Sequence, residues 1–151
     1  MENTMNMKKL SMTNRTLDAI KTHLEVSAPY AAGGFLLGTS NHSNQQAEVI
    51  DFVPALNVIE GMPNTFKYNS GDLSTVESIA QARDLEVIGF YASKNSASIS
   101  LDELFVNERR LGAVYLIATL AKNELTKVDL ICSGSEDVEP CSLLISEALA
   151  V

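Results

Sequence analysis

The chain has no dense basic run, no long apolar stretch and few of the residues that build metal or disulfide sites. Its 151 residues carry 11 Lys and Arg against 19 Asp and Glu, a formal net charge of −8. Lys8-Lys9 and Arg109-Arg110 are the only adjacent basic pairs, so the electrostatic footprint of a nucleic-acid binder is missing. The acidity instead serves solubility or steers a basic partner face. No apolar run approaches the roughly 20 residues of a membrane span. The stretch Met1 to Lys9 has no hydrophobic core after its lysines, which argues against a secretory signal. The two cysteines, Cys132 and Cys141, lie far from the two histidines, His23 and His42. A Cys/His zinc site is therefore not expected, and the cysteines read as free thiols of a cytoplasmic protein.

What is present describes an ordinary globular domain. A 46% hydrophobic share with 20% charged residues suits a single domain large enough to bury a normal core. Leu17, Ile20 and Leu24 recur at helical spacing, with Ser11 or Thr13 as cap and Pro29 as stop. Gly33 to Gly38 and Ala47 to Val53 read as a strand pair around the polar turn 41–46. A short strand is expected at Thr65–Tyr68. Ser70 is expected to cap a helix with Leu73, Val76, Ile79 and Ala80 on one face. Leu85 to Tyr91 reads as a buried strand that opens into a polar loop at Ala92. Ser100 with Glu103 has the pattern of a capping box before a short helix. Ala113 to Ala118 and Lys127 to Cys132 read as strands around the turn 121–124, and the tail from Ser142 is ambiguous between strand and helix. The order predicts a mixed α/β fold, sheet packed between helices. Residues 1–9 form an extension, 10–133 the domain, and 134–151 a tail that packs on the domain or on a partner.

Several segments, in order, resemble the JAB/MPN/Mov34 (JAMM) family of zinc isopeptidases. Pro29-Tyr30-Ala31-Ala32-Gly33-Gly34-Phe35-Leu36-Leu37-Gly38 is similar to the family's Pro-x-Glu-x-Cys-Gly-x-Leu-x-Gly. Val53-Pro54-Ala55-Leu56-Asn57 is similar to its Val-Pro-x-x-Asn strand end. Gly89-Phe90-Tyr91-Ala92-Ser93-Lys94-Asn95, followed by Ser100-Leu101-Asp102-Glu103-Leu104, resembles in layout Gly-x-Tyr-His-Ser-His-Pro and Ser-x-x-Asp-Leu. The resemblance implies a JAB/MPN-like, cytidine-deaminase-like single domain of mixed sheet and helices.

It also implies which residues would act, and they are missing. The family's general base falls on Ala31, its two histidine ligands on Ala92 and Lys94, and its aspartate ligand on Glu103. Ser100 matches the serine that helps hold the oxyanion. One carboxylate does not retain a catalytic zinc, and without a base no water is activated. The expectation is a non-catalytic relative with no metal or cofactor, acting as a scaffold or interaction module. Its partner is a ubiquitin-like tail, a catalytic JAB/MPN sibling or a second copy. Phe90, Tyr91, Ser93 and Ile99 are the candidate peptide-binding residues, beside a strand edge to which an extended chain can add. The alternative is a zinc-dependent isopeptidase or metallopeptidase with relocated ligands; a third reading is a small-molecule binder reusing the emptied pocket. Lys94 has two readings: an exposed lysine, the default for its type, or an internal pair with Glu103 in place of the metal. For Ser100 and Glu103 the capping box explains both without an active site. Glu25 and Glu48 read as solvated surface charges, and His23 as a partly buried helix residue.

Overall fold

A computed structural model describes residues 9–41, 43, 45–55, 57, 64–95, 104, 113–133, 138–140 and 142–146, with side chains through 131. The elements run β1 (Lys9–Thr13), α1 (Asn14–Ser27), β2 (Gly33–Asn41), β3 (Gln46–Ala55), α2 (Ser70–Ala82), β4 (Glu86–Lys94), β5 (Val114–Ala121), β6 (Glu124–Ser133), β7 (Val138–Pro140) and β8 (Ser142–Ser146). They form one mixed sheet in the order β7-β6-β5-β4-β2-β3-β1-β8. The pairings β1–β3, β1–β8 and β4–β5 are parallel. β7 and β8 end opposite edges of this order, yet only residue 141 separates them. Two Cα steps span at most about 7.6 Å, so the sheet curls until its two edges nearly meet.

Local chemistry explains most boundaries. Ser11 lies inside β1, so Thr13 caps α1, its Oγ1 accepting from the Thr16 amide at 3.2 Å. The helix stops before Pro29, with Ala28 extended at ψ 147°, as the residue before a proline prefers. The cap of α2 is Asn69 rather than Ser70: Asn69 Oδ1 accepts from Gly71 N at 2.7 Å. Its buried face is Val76 and Ala80 with Leu73 alongside, whereas Ile79 is exposed. Lys122 and Asn123 both have positive φ (53° and 65°). Two such residues between paired strands make a type I′ hairpin turn, whose twist matches that of β5 and β6. The strand expected at Thr65–Tyr68 does not form. That segment is extended, its Phe66 amide donates to Leu104 O at 2.6 Å, and its alternation comes from Phe66 and Tyr68 entering the core.

Each face of the sheet carries its own core. Toward α1 lie Leu10, Met12, Ile20, Leu24, Leu36, Tyr91 and Leu116; toward α2 lie Phe35, Phe66, Tyr68, Val76, Phe90 and Tyr115. The β2–β4 register skips Ile88, pairing Leu36 with Gly89 and Leu37 with Val87. This bulge resets the alternation of β4. Val87, Phe90 and Ala92 then face α2, while Ile88 and Tyr91 face α1. Gly89 is required there, because a Cβ would sit 2.0 Å from Val114 O on β5.

α1 is tied to the β5–β6 hairpin by a charge read from sequence as solvated. Glu25 Oε2 accepts from the Leu125 amide at 2.7 Å in a partly buried contact; Glu48, by contrast, is exposed. Glu25→Ala leaves that amide without its acceptor and is expected to lower the unfolding free energy by about 1–2 kcal/mol. Glu25→Gln, which keeps an acceptor oxygen, should lose less. Urea denaturation of the three proteins checks the order, and equal midpoints would show that the contact carries no stability.

Candidate functional site

Of the positions singled out by the sequence, Ala31, Ala92, Ser93 and Lys94 lie where β2 begins and β4 ends. β4 continues through Ala92, Ser93 and Lys94, which the sequence had placed in a loop. Gly33 pairs with Ala92. The Ser93 amide donates to Ala32 O at 2.9 Å, and the Ala32 amide donates to Ser93 Oγ at 3.1 Å. These bonds fasten the chain just after Ala31 to the end of β4. Ala31 and Ala92 fall into one apolar cluster with Leu104. They are 3% and 0% exposed, so both methyls pack against neighbours rather than line an open cleft.

Lys94 follows Ala92 at the next position on the same face of β4, and it is buried, with 9% of its surface exposed. The exposed-lysine reading is therefore corrected. Lys94 has an interaction partner within the fold. Ser100, Ile99 and Glu103 lie outside the described residues, as do His42 and Cys141, so the Lys94–Glu103 pair is not placed.

The peptide-binding expectation is corrected for three of its four residues. Phe90, Tyr91 and Ser93 are 1%, 0% and 0% exposed. β4 pairs with β2 on one side and β5 on the other through this region. It is an interior strand with no free backbone edge, and no extended chain can be added to it.

Two side-chain amides that the sequence reading quoted only as parts of longer motifs organise the rim. Asn57 Nδ2 donates to Ala31 O at 3.0 Å and to Thr65 O at 2.9 Å, while its Oδ1 accepts from Lys67 N at 3.1 Å. One side chain thus holds the strand entry and the 64–67 segment together. Asn95 stands where the resemblance has a proline. Its amide N–H donates to Asn64 Oδ1 and its Nδ2 to Pro29 O, each at 2.6 Å. A proline there would remove that N–H. The asparagines were visible in the sequence, but their partners, up to 66 residues away, were not.

Behind this rim, on the other face, the Tyr91 hydroxyl lies 3.1 Å from His23 Nδ1 on α1, with the rings edge to face. Burial pushes the Tyr91 phenol up and holds the His23 imidazole below its ordinary value of 6.5. The phenol stays protonated, and we assign it as donor to an unprotonated Nδ1, which leaves the histidine proton on Nε2. The folded state thus favours neutral His23, and the unfolded chain takes up the proton first as pH falls. Stability is accordingly level in this term above pH 6.5 and declines on acidification toward the folded pKa. Chemical denaturation from pH 7.5 to 5 is expected to show that decline, and His23→Gln, which does not titrate, to flatten it. An unchanged slope in the variant would assign the pH dependence to other groups.

Among the described residues, no three His, Cys, Asp or Glu side chains are grouped to share a metal ion, and no helix is long and apolar enough to cross a membrane. Among the described residues, the rim offers hydrogen bonding by the Asn57 and Asn95 side-chain amides beside the buried Lys94.

No protein-family model and no curated protein matches the sequence. Solved structures do match the fold. A solution structure of a Desulfitobacterium hafniense protein is similar with a TM-score of 0.77 at 17% identity, covering 93% of this chain and 94% of its own. A solution structure of a Salinibacter ruber protein is similar with a TM-score of 0.64 at 19% identity, over the same shares. At such identities the likeness shows the fold alone: this chain is a single-domain mixed α/β protein with a curled sheet.

Proposed function

We propose that this chain is a non-catalytic relative of the JAB/MPN isopeptidases that serves in the cytoplasm as a protein-interaction module, for a ubiquitin-like tail or a JAB/MPN domain. One observation carries the proposal. The positions that the resemblance gives to the general base and the first histidine ligand, Ala31 and Ala92, hold two buried methyl groups in one apolar cluster. A methyl has no lone pair for zinc or for a proton. Lys94, at the second histidine position, brings a buried ammonium, which repels a dication. Packing of both methyls also disfavours the small-molecule reading, which needs an open cavity at the same place. Supporting an interaction role, Val26 and Tyr30 present exposed apolar surface at the end of α1, just before Ala31.

The test is metal analysis of the purified protein, with cleavage of a ubiquitin-like fusion in the presence and absence of a chelator. Capture by immobilised ubiquitin-like protein or JAB/MPN domain completes it. The proposal expects no tightly held zinc, no chelator-sensitive cleavage, and retention of one of those partners. One zinc per chain with cleavage lost on chelation would establish the relocated-metal enzyme instead.

A further inference from the structure

The two outermost strands of the sheet are held in different ways by one short segment. β7 runs antiparallel to β6, from Ile131 opposite Pro140 to Ser133 opposite Val138. β8 runs parallel to β1 at the far edge, from Lys9 opposite Ser142 to Thr13 opposite Ser146. On its inner side β1 is paired to β3 only at Lys9, Leu10 and Ser11. Met12 and Thr13 therefore have β8 as their ladder partner, so β8 completes the strand that leads into α1. The principal neighbour of β8 is β1, and that of β7 is β6.

We propose that the β1 edge is an exchangeable docking edge, and that its second occupant is Ser142–Ser146 of another copy of this chain, giving a strand-swapped dimer. The chain's own pairing shows that this edge accepts this sequence in this register. A second copy presents the same sequence, so it reproduces the same ladder without any new complementarity. Leu143 and Ile145 fall opposite Leu10 and Met12, the two residues through which β1 enters the core. An incoming segment thus places its apolar residues at the register positions of buried ones. The connector between the two pairings is one residue. So short a hinge gives little slack for serving both edges of one sheet, and short hinges favour exchange between copies. An extended connector keeps β7 on its own β6 while β8 reaches a neighbour's β1. Two copies doing this reciprocally close a two-fold dimer. The inference uses strand order and register and does not depend on the JAB/MPN-like reading.

Register partners in a ladder lie about 4.8 Å apart, within disulfide reach. The test uses the full chain with Cys132→Ser and Cys141→Ser, carrying Thr13→Cys and Ser146→Cys. It is oxidised at rising protein concentration and read on non-reducing gels beside light scattering. The proposal expects intrachain bridges at low concentration and interchain bridges whose ratio to them rises about tenfold per tenfold concentration while monomer predominates. Intrachain bridges alone at every concentration overturn it, including when light scattering shows a dimer, since that dimer would use another face. Absence of any bridge in a variant that melts like the parent also overturns it. If that variant fails to fold, Lys9→Cys with Ser142→Cys makes the same measurement from the other end of the ladder.

Discussion

Replacing Phe90 with alanine is expected to lower the unfolding free energy by about 3–5 kcal/mol, the range for a large aromatic truncated in a packed core. Phe90 is 1% exposed. Its ring stacks on Tyr68 at 5.4 Å and on Tyr115 at 5.5 Å, and meets Phe35 edge to face at 5.8 Å. Each such pair contributes about 0.5–1.5 kcal/mol beyond buried area. The loss therefore exceeds what lost volume alone would give. Phe90→Leu, which keeps much of the volume but none of the ring contacts, should lose less than Phe90→Ala but at least about 1.5 kcal/mol, the low end for three such pairs. Thermal and urea unfolding of the three proteins reads this order directly. A Phe90→Ala protein with wild-type stability would return the residue to the surface role that its sequence position first implied. Against a typical total of about 5–15 kcal/mol, the loss is a large fraction of the whole.

On the JAB/MPN-like proposal, introducing the zinc enzymes' residues should damage this protein rather than give it a metal site. Ala92→His drives an imidazole into a position with no exposed surface, and overpacking of this kind costs about 1–3 kcal/mol. Ala31→Glu places a carboxylate in the apolar cluster that holds Leu104 and Ala92, and taking a charge out of water costs several kcal/mol. With Lys94 left in place, the double variant is expected to melt well below the parent and to show no heat of zinc binding by titration calorimetry. Variants that match the parent in melting and take up one zinc each would mean that a metal pocket persists in working shape. That outcome would remove the structural ground for the non-catalytic reading.

The rules of local chemistry read well where a segment's environment is supplied by its own neighbours. Thr13 and Pro29 bracket α1 by capping and by the restriction before proline, and the turn 121–124 is set by residues that sit inside it. The same rules erred where a side chain answers to something distant. Ser93 and Lys94 look like loop residues because they are polar, yet they end a buried strand. Ser93 is satisfied there by the backbone of Ala32, 61 residues earlier. Glu25 looks like a surface charge because its acceptor role is for an amide 100 residues further on. Thr65 to Tyr68 alternates like a strand because two aromatic rings are drawn into the core, not because a ladder forms.

The amino-acid order alone determined that Ala31 and Ala92 carry methyl groups and Lys94 an amine, since no fold can supply an imidazole or carboxylate to a residue that lacks one. The tertiary structure decided what those residues became. By pairing β4 on both sides it turned the expected binding edge into core. By bringing Ala31 and Ala92 into one apolar cluster it packed both methyls into the core, and by sending β7 and β8 to opposite edges it drew the curled sheet nearly shut. These outcomes depend on contacts between residues far apart in sequence, whose geometry exists only after the chain has folded.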